Sequence, residues 1–300
     1  MRVLVTGATG MIGSALAAAL REQGHSVLAV SRHPASGSDM VAWDPRAGRL
    51  DADAVAGVDA AVHLAGESLA ARRWSRAHLR EARDSRVGSG ALLAGVLARI
   101  TPRPRVLVSV SAIGVYGDRG DQVLDDAAAP GLGVLSGLVR AWEDAATPAR
   151  QAGIRVAHPR LGMVLSARGG ALAELLRPAR WGALGPLGSG RQWWSWITLR
   201  DTVRVLIAAL TDSRLAGPFN AVAPAPIRQR AFARTLGQLL HRPAILRAPE
   251  FALRLALGGM ADEMLLASQR VVPGRLSATG FAFQDPALEP ALRTALADHP

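Results

Sequence analysis

MRVLVTGATGMIG, residues Met1 to Gly13, decides the fold. The apolar run Val3-Leu4-Val5 enters a turn with glycines at Gly7, Gly10 and Gly13, and an alanine-rich helical stretch follows. Strand, glycine turn and helix is the context in which this spacing binds a dinucleotide. Gly7 permits the tight turn, Gly10 lets backbone approach a pyrophosphate, and Gly13 lets the helix pack closely on the strand. The helix start, with Thr9, Met11 and Ile12 around it, then offers free N–H groups and the positive end of its dipole to phosphate.

Outward from this turn, apolar β-branched runs alternate with helical stretches. Strands are expected at Arg2–Val5, Ser26–Val30, Met40–Trp43, Ala60–Leu64, Arg105–Val110 and Ile154–Ala157. Helices are expected at Ile12–Gln23, Ser75–Ile100 and Val134–Gln151. This order implies an α/β fold, a doubly wound parallel sheet of the Rossmann type, with ligands beyond the carboxyl ends of the strands. From Ser166 the pattern loosens, with Pro178 and Pro186 as breakers. It returns as a helix at Asp201–Leu210, a strand at Pro218–Val222 and a helix near Arg228–Leu240. The expected division is a dinucleotide-binding domain over residues 1–230, with 166–197 as a substrate-side segment, and a capping region over residues 231–300.

Composition narrows the function. The 300-residue chain has net charge +11, yet it contains no lysine; all 35 basic residues are arginine, scattered rather than in runs. That distribution does not predict nucleic-acid binding, and an anionic small ligand accounts for it as well. Cysteine is absent, and the seven histidines show no ligand spacing, so no metal site is expected. No stretch reads as a signal peptide or membrane span. A cytoplasmic monomer or homodimer acting on a small molecule is the expectation.

The residue after strand two normally meets the adenine ribose, an acid there favouring NAD and an arginine a 2′-phosphate. Here the strand ends Val30-Ser31-Arg32-His33, without an acid. Arg32 offers a planar fork to phosphate and Ser31 adds a hydroxyl, so the expected cofactor is NADP(H).

TGATGMIG at Thr6–Gly13, HLAGE at His63–Glu67 and SAIGVYG at Ser111–Gly117 resemble the signatures of extended short-chain dehydrogenase/reductases. Further motifs narrow the resemblance: Arg73-Trp74, Ser85-Arg86, Ala141-Trp142-Glu143, Arg168–Leu172, Gly188–Gln192, Ser195-Trp196-Ile197 and Met260–Leu266. Together they resemble the atypical "epimerase family protein" branch, which carries a C-terminal domain of unknown function. The resemblance implies NADP(H) binding, and Leu64, Ala65, Gly66, Glu67, Ser109 and Arg160 complete the candidate cofactor-facing set; the alternatives are substrate for Arg160, and for Glu67 an acid, a base, a substrate contact, a helix-start cap or an ion pair with Arg72 or Arg73. Two residues depart from that branch: His63 stands where it usually has Asn, and Thr198 where it often has His.

The general mechanism of these reductases needs a Tyr followed four residues later by Lys. This chain has no lysine, and its one tyrosine is Tyr116. Aligning the usual helix on Glu143 puts Leu135 and Val139 at the two positions, and neither transfers a proton. The candidate substitutes are Ser111, to polarise a carbonyl, and Tyr116, as an acid if its pKa is lowered. Each has a simpler reading: Tyr116 as a packing tyrosine, Ser111 as a hydroxyl satisfying turn backbone. The expected activity is NADP(H)-dependent oxidoreduction or epimerisation of a small carbonyl or sugar-nucleotide-like compound. The alternative is an NADPH-binding sensor or scaffold without turnover.

Gly188–Ile197 reads GSGRQWWSWI, three tryptophans in four positions of a chain with 4% aromatic residues. Arg191 and Trp193 are candidate substrate contacts, by anion pairing and stacking, with Gln192 as a further polar contact. The competing reading is a hydrophobic plug.

Overall fold

In the computed structural model of the chain, residues 1–34, 40–70 and 72–297 are described; His299 lies outside them. The first half supplies β1 (Arg2–Thr6), α1 (Met11–Glu22), β2 (Ser26–Ser31), β3 (Val41–Asp44), β4 (Arg49–Leu50), β5 (Ala60–His63), α2 (Arg76–Arg99), β6 (Val106–Ser109), β7 (Ser111–Ala112) and β8 (Val123–Leu124). There follow α3 (Val134–Asp144), α4 (Thr147–Gln151), β9 (Arg155–Leu161), β10 (Met163–Leu165), α5 (Gly170–Ala179), β11 (Trp193–Trp194) and β12 (Trp196–Thr198). The chain continues through α6 (Leu199–Thr211), β13 (Gly217–Ala221), β14 (Ile227–Arg228), α7 (Gln229–Leu239), α8 (Glu250–Leu257), β15 (Arg270–Val271), α9 (Gly274–Ala278) and α10 (Leu288–Ala297).

The main sheet has the order β13-β9-β6-β5-β1-β2-β3-β4. All its pairings are parallel except β3 with β4. Successive side chains of a strand face opposite ways, so β1 feeds two cores. Val3 and Val5 pack with Leu16 and Leu20 of α1 and Val205 and Leu206 of α6. Leu4 packs on the other face with Leu93 and Leu97 of α2 and Ala149 of α4. Burying each such aliphatic side chain contributes about 1.5–3 kcal/mol. Strand order reverses between β1 and β5, which opens the crevice where ligands of doubly wound sheets sit.

The single helix expected over Val134–Gln151 is two helices, α3 and α4. Pro148 sits in the first turn of α4. Its ring has no N–H and would clash with the Asp144 carbonyl in a continuous helix. The Thr147 hydroxyl instead donates to that carbonyl at 2.6 Å.

A third core joins the loose segment to the tail: Leu172, Leu176, Trp194 and Trp196 pack with Phe232 and Leu236 of α7 and Leu292 of α10. Among the described residues, no helix is long and apolar enough to cross a membrane, and no group of three or more His, Asp or Glu is placed to hold a metal ion.

Candidate cofactor and active site

The turn after β1 is built from backbone. Gly7 has φ +70°, a conformation that favours glycine. A Cβ on Gly13 would lie 2.1 Å from the Gly7 carbonyl oxygen, so only glycine lets α1 start this close to the strand. Gly10 precedes α1, no side chain caps the helix, and its first turn holds no acidic residue. Its N–H groups and dipole are therefore left for an anion. The Leu64-Ala65 backbone crosses 3.0 Å from where a Gly7 Cβ would be, which closes the crevice from the β5 side. Gly169, at the start of α5, lies against the Met11 sulfur on the other side. Ser31 ends β2; its hydroxyl accepts from the His33 N–H at 3.2 Å. Arg32 is exposed and makes no hydrogen bond or ion pair among the described residues. These features fit a dinucleotide whose pyrophosphate sits at the start of α1 and whose adenosine end lies toward Arg32.

His63 is fully buried at the end of β5. The Thr6 hydroxyl donates to its Nδ1 at 2.8 Å and accepts from the amides of Leu64 and Ala65 at 3.2 and 3.3 Å. Nε2–H donates to Ser89 Oγ at 3.2 Å, and the Ser89 hydroxyl donates to the Ser85 carbonyl at 2.5 Å. This chain needs a neutral imidazole. Burial, with the nearby Arg86 charge adding to it, pushes the imidazole down to about 4. The histidine thus ties β1, the turn after β5 and α2 together.

The second half of the site is built from side chains. Arg160, on β9, makes a bidentate pair with Glu143 on α3, Nε to Oε1 at 2.8 Å and Nη2 to Oε2 at 2.9 Å. The Ser111 hydroxyl donates to the same Oε1 at 2.6 Å. Burial works to raise the Glu143 carboxyl, but the hydrogen bonds from Arg160 and Ser111 and the Arg160 charge outweigh it and hold the group below the ordinary glutamate range. Arg160 Nη1 also donates to the Tyr116 hydroxyl at 3.1 Å, and that hydroxyl donates to Asn220 Oδ1 at 2.7 Å. Burial raises the Tyr116 phenol despite the arginine. Tyr116 is therefore neutral and fully buried, and its proton is held by protein acceptors, Asn220 Oδ1 at 2.7 Å and the Asp125 carbonyl at 3.2 Å. His158 donates from Nδ1 to the carbonyl of Ser109, which is itself buried at the end of β6. Leu135 and Val139 are buried apolar residues of α3.

Sequence reasoning missed how α3 begins. Gly133 precedes it without a side-chain cap. The Glu263 carboxylate reaches across from the tail and accepts from the amides of Val134 and Leu135 at 2.8 and 2.6 Å. A helix that starts at glycine with no capping residue was the available signal. Glu263 also lines a cleft of about 340 Å³ with Gly114, Gly117, Leu132, Gly133 and Leu266.

The GSGRQWWSWI segment divides. Trp194 and Trp196 are buried, Trp194 edge-on to Phe232 at 5.4 Å. Trp193 donates from Nε1 to Asp121 at 3.1 Å, and the guanidinium carbons of Arg228 and Arg270 lie 4.2 and 4.5 Å from its ring centroid. Gln192 is buried, and its amide donates to the carbonyls of Leu187 and Leu265 rather than facing a ligand. Arg191 is exposed. Among the described residues, no hydrogen bond, ion pair or ring contact links Arg191 or Trp193 to the Ser111 cluster. Thr198 caps α6 by accepting from the Asp201 amide at 3.1 Å, and its hydroxyl donates to Asp285 at 2.9 Å. Glu67, whose amide donates to Ser85 Oγ at 2.9 Å, pairs with neither Arg72 nor Arg73 among the described residues; Arg72 pairs with Glu81.

A doubly wound parallel sheet with a glycine turn at its switch point defines a Rossmann-type protein. Residues 3–221 match the NAD dependent epimerase/dehydratase family, and residues 248–295 match a domain of unknown function, DUF1731. The chain belongs to the NAD dependent epimerase/dehydratase family. It is 41% identical over 291 residues to the epimerase family protein ML0860 of Mycobacterium leprae, covering 97% of this chain and 94% of that one. The crystal structure of human epimerase family protein SDR39U1 (isoform 2) with NADPH superposes with a TM-score of 0.91 at 35% identity, over 100% of both chains. That of a nucleoside-diphosphate sugar epimerase from Corynebacterium glutamicum superposes with a TM-score of 0.83 at 33% identity, over 99% of this chain and 58% of that one.

Proposed function

We propose that this chain binds NADP(H) in the crevice between β1 and β5 and acts as an oxidoreductase or epimerase-like enzyme on a small carbonyl or sugar-nucleotide-like compound. The observation that carries the reading is the approach of Gly13 to the Gly7 carbonyl, which leaves the uncapped start of α1 facing the crevice. The human relative crystallised with NADPH supports it. Ser31 and Arg32 would take the 2′-phosphate, and the turn from Gly7 through Thr9 and Gly10 to Met11, Ile12 and Gly13 the pyrophosphate. Leu64, Ala65 and Gly66 would line the nicotinamide side. Residues 1–230 would hold the cofactor and residues 231–300 cap the substrate.

A bound nicotinamide supplies hydride transfer. Ser111 gives its proton to Glu143 in a hydrogen bond, so its oxygen has only lone pairs left to offer a substrate. In this reading it accepts from a substrate hydroxyl and orients the carbon that bears it. Arg160 keeps Glu143 ionised, which preserves that polarity.

A second reading, NADPH binding without turnover, is favoured by Leu135 and Val139 at the dyad positions and by the committed proton of Tyr116. Titration with NADPH and NADH tests the shared premise. NADPH is expected to bind about tenfold tighter or more than NADH, and Arg32→Ala to remove the difference. Equal affinities in the wild type would sink the 2′-phosphate assignment, and binding of neither would sink both readings. NADPH oxidation across a carbonyl panel then separates turnover from binding alone.

A further inference from the structure

Arg86 is buried on α2 with 9% of its surface exposed, and no carboxylate lies in ion-pair range of it among the described residues. Among the described residues its side chain makes one hydrogen bond, from Nη1 to the Ala82 carbonyl at 3.1 Å. Its Nε is buried without an acceptor, and so is the indole Nε1 of Trp142. The two belong together: the Arg86 guanidinium lies 5.1 Å from the Trp142 ring centroid. Buried donors in native proteins nearly always have partners, so two adjacent exceptions need a cause. The aromatic face compensates part of the charge, but it accepts neither N–H. Burial pushes the guanidinium down to about 10, and the Glu67 charge opposes the shift.

The position is informative. A Cβ on Gly66 would lie 3.2 Å from the Arg86 guanidinium carbon, and Gly66 itself is exposed. Arg86 thus lies just under the surface of the turn after β5, whose preceding residues, Leu64 and Ala65, form one wall of the crevice. Trp142 precedes Glu143, the residue that holds Ser111. The unpartnered donors therefore lie beneath the turn after β5, against the helix that also carries Glu143.

We infer that Arg86 and Trp142 form the receptor for an anionic group, a carboxylate or a phosphate, on the substrate of this site. The inference rests on the cofactor reading above and names the substrate class it left open. A planar guanidinium takes either anion through two parallel N–H bonds, and the indole N–H can add a third.

The test uses the full chain with ¹⁵N-labelled tryptophan, with and without NADPH, titrated with acetate and with inorganic phosphate against chloride at constant ionic strength. Trp142→Phe assigns the Trp142 indole resonance. That resonance is expected to shift and saturate with acetate or phosphate but not chloride. Arg86→Gln should weaken the effect about tenfold or more, and Arg86→Lys should keep a weaker response. NADPH affinity should stay within about twofold in both variants. Should Arg86→Gln fail to fold, Arg86→Lys decides: an undiminished response with the planar fork removed overturns the inference. It is also overturned if the wild-type resonance ignores both anions, or responds equally in Arg86→Gln. A parallel tenfold loss of NADPH affinity would assign the anion to the cofactor's own phosphates and overturn the substrate assignment. Failure of the wild type to bind NADPH would instead remove the cofactor reading, and the titration without NADPH would still decide whether Arg86 receives an anion.

Discussion

The turn after β1 and the cluster beneath Ser111 lie at the same end of one sheet and are built by opposite means. The turn is almost entirely backbone: three glycines, one close approach and a run of amides. The cluster is almost entirely side chain: a carboxylate, a guanidinium, a phenol and an amide that satisfy one another out of water. A backbone site depends on space, so an added methyl group damages it. A side-chain site depends on charge balance, so an isosteric change of charge damages it while the same atoms stay in place.

Glu143→Gln probes that difference most strongly. It keeps the shape and removes the negative charge, leaving Arg160 buried and uncompensated at 7% side-chain exposure. We expect a loss of about 4 kcal/mol in unfolding free energy by denaturant titration. A loss below about 1 kcal/mol would mean that water already screens the pair. Gly13→Ala is the matching probe of the turn. Its Cβ meets backbone rather than a movable side chain, so α1 must shift. We expect about 3 kcal/mol of destabilisation together with loss of NADPH binding. Unchanged cofactor affinity in a folded Gly13→Ala protein would break the link between that close approach and the site.

His63 joins the two regions and has a signature in pH. Its folded-state pKa of about 4 lies below the ordinary 6.5, so the unfolded chain takes up the proton first. The associated stability is complete above pH 6.5, declines as pH falls, and is gone below about pH 4. Between about pH 7 and pH 5 this amounts to roughly 2 kcal/mol. His63→Asn, the residue usual in the resembled branch, should abolish that part of the pH dependence. If the two proteins have parallel stability–pH curves, His63 is not the titrating group. The smallest effect is expected at the cap of α3. Glu263→Gln keeps one acceptor and loses the charge at the helix start, at a cost of about 1 kcal/mol. A change in thermal midpoint no larger than that of Glu289→Gln, an exposed i,i+4 partner of Arg293, would show that the tail does not support α3.

By itself the sequence determined the α/β order, the parallel sheet and the glycine turn, because each depends on residues within a few positions of one another. Alternating burial in Val3-Leu4-Val5 and the glycines that follow need no knowledge of distant chain. The missing Tyr–Lys dyad was equally legible, since a residue type absent from the chain cannot be supplied by folding. Only the tertiary structure decided what Ser111, Tyr116 and Arg160 do. Arg160 meets Glu143 because β9 lies beside β6 and β7 under α3, and that pairing turns Ser111 into an acceptor and fixes the proton of Tyr116. The α3 cap comes from Glu263, more than a hundred residues away, and Arg86 meets Trp142 only where α2 passes α3. Such pairings are set by which strand ends and helix faces the sheet order brings together. Charge balance in a desolvated space then makes them specific, and no local pattern in the chain records it.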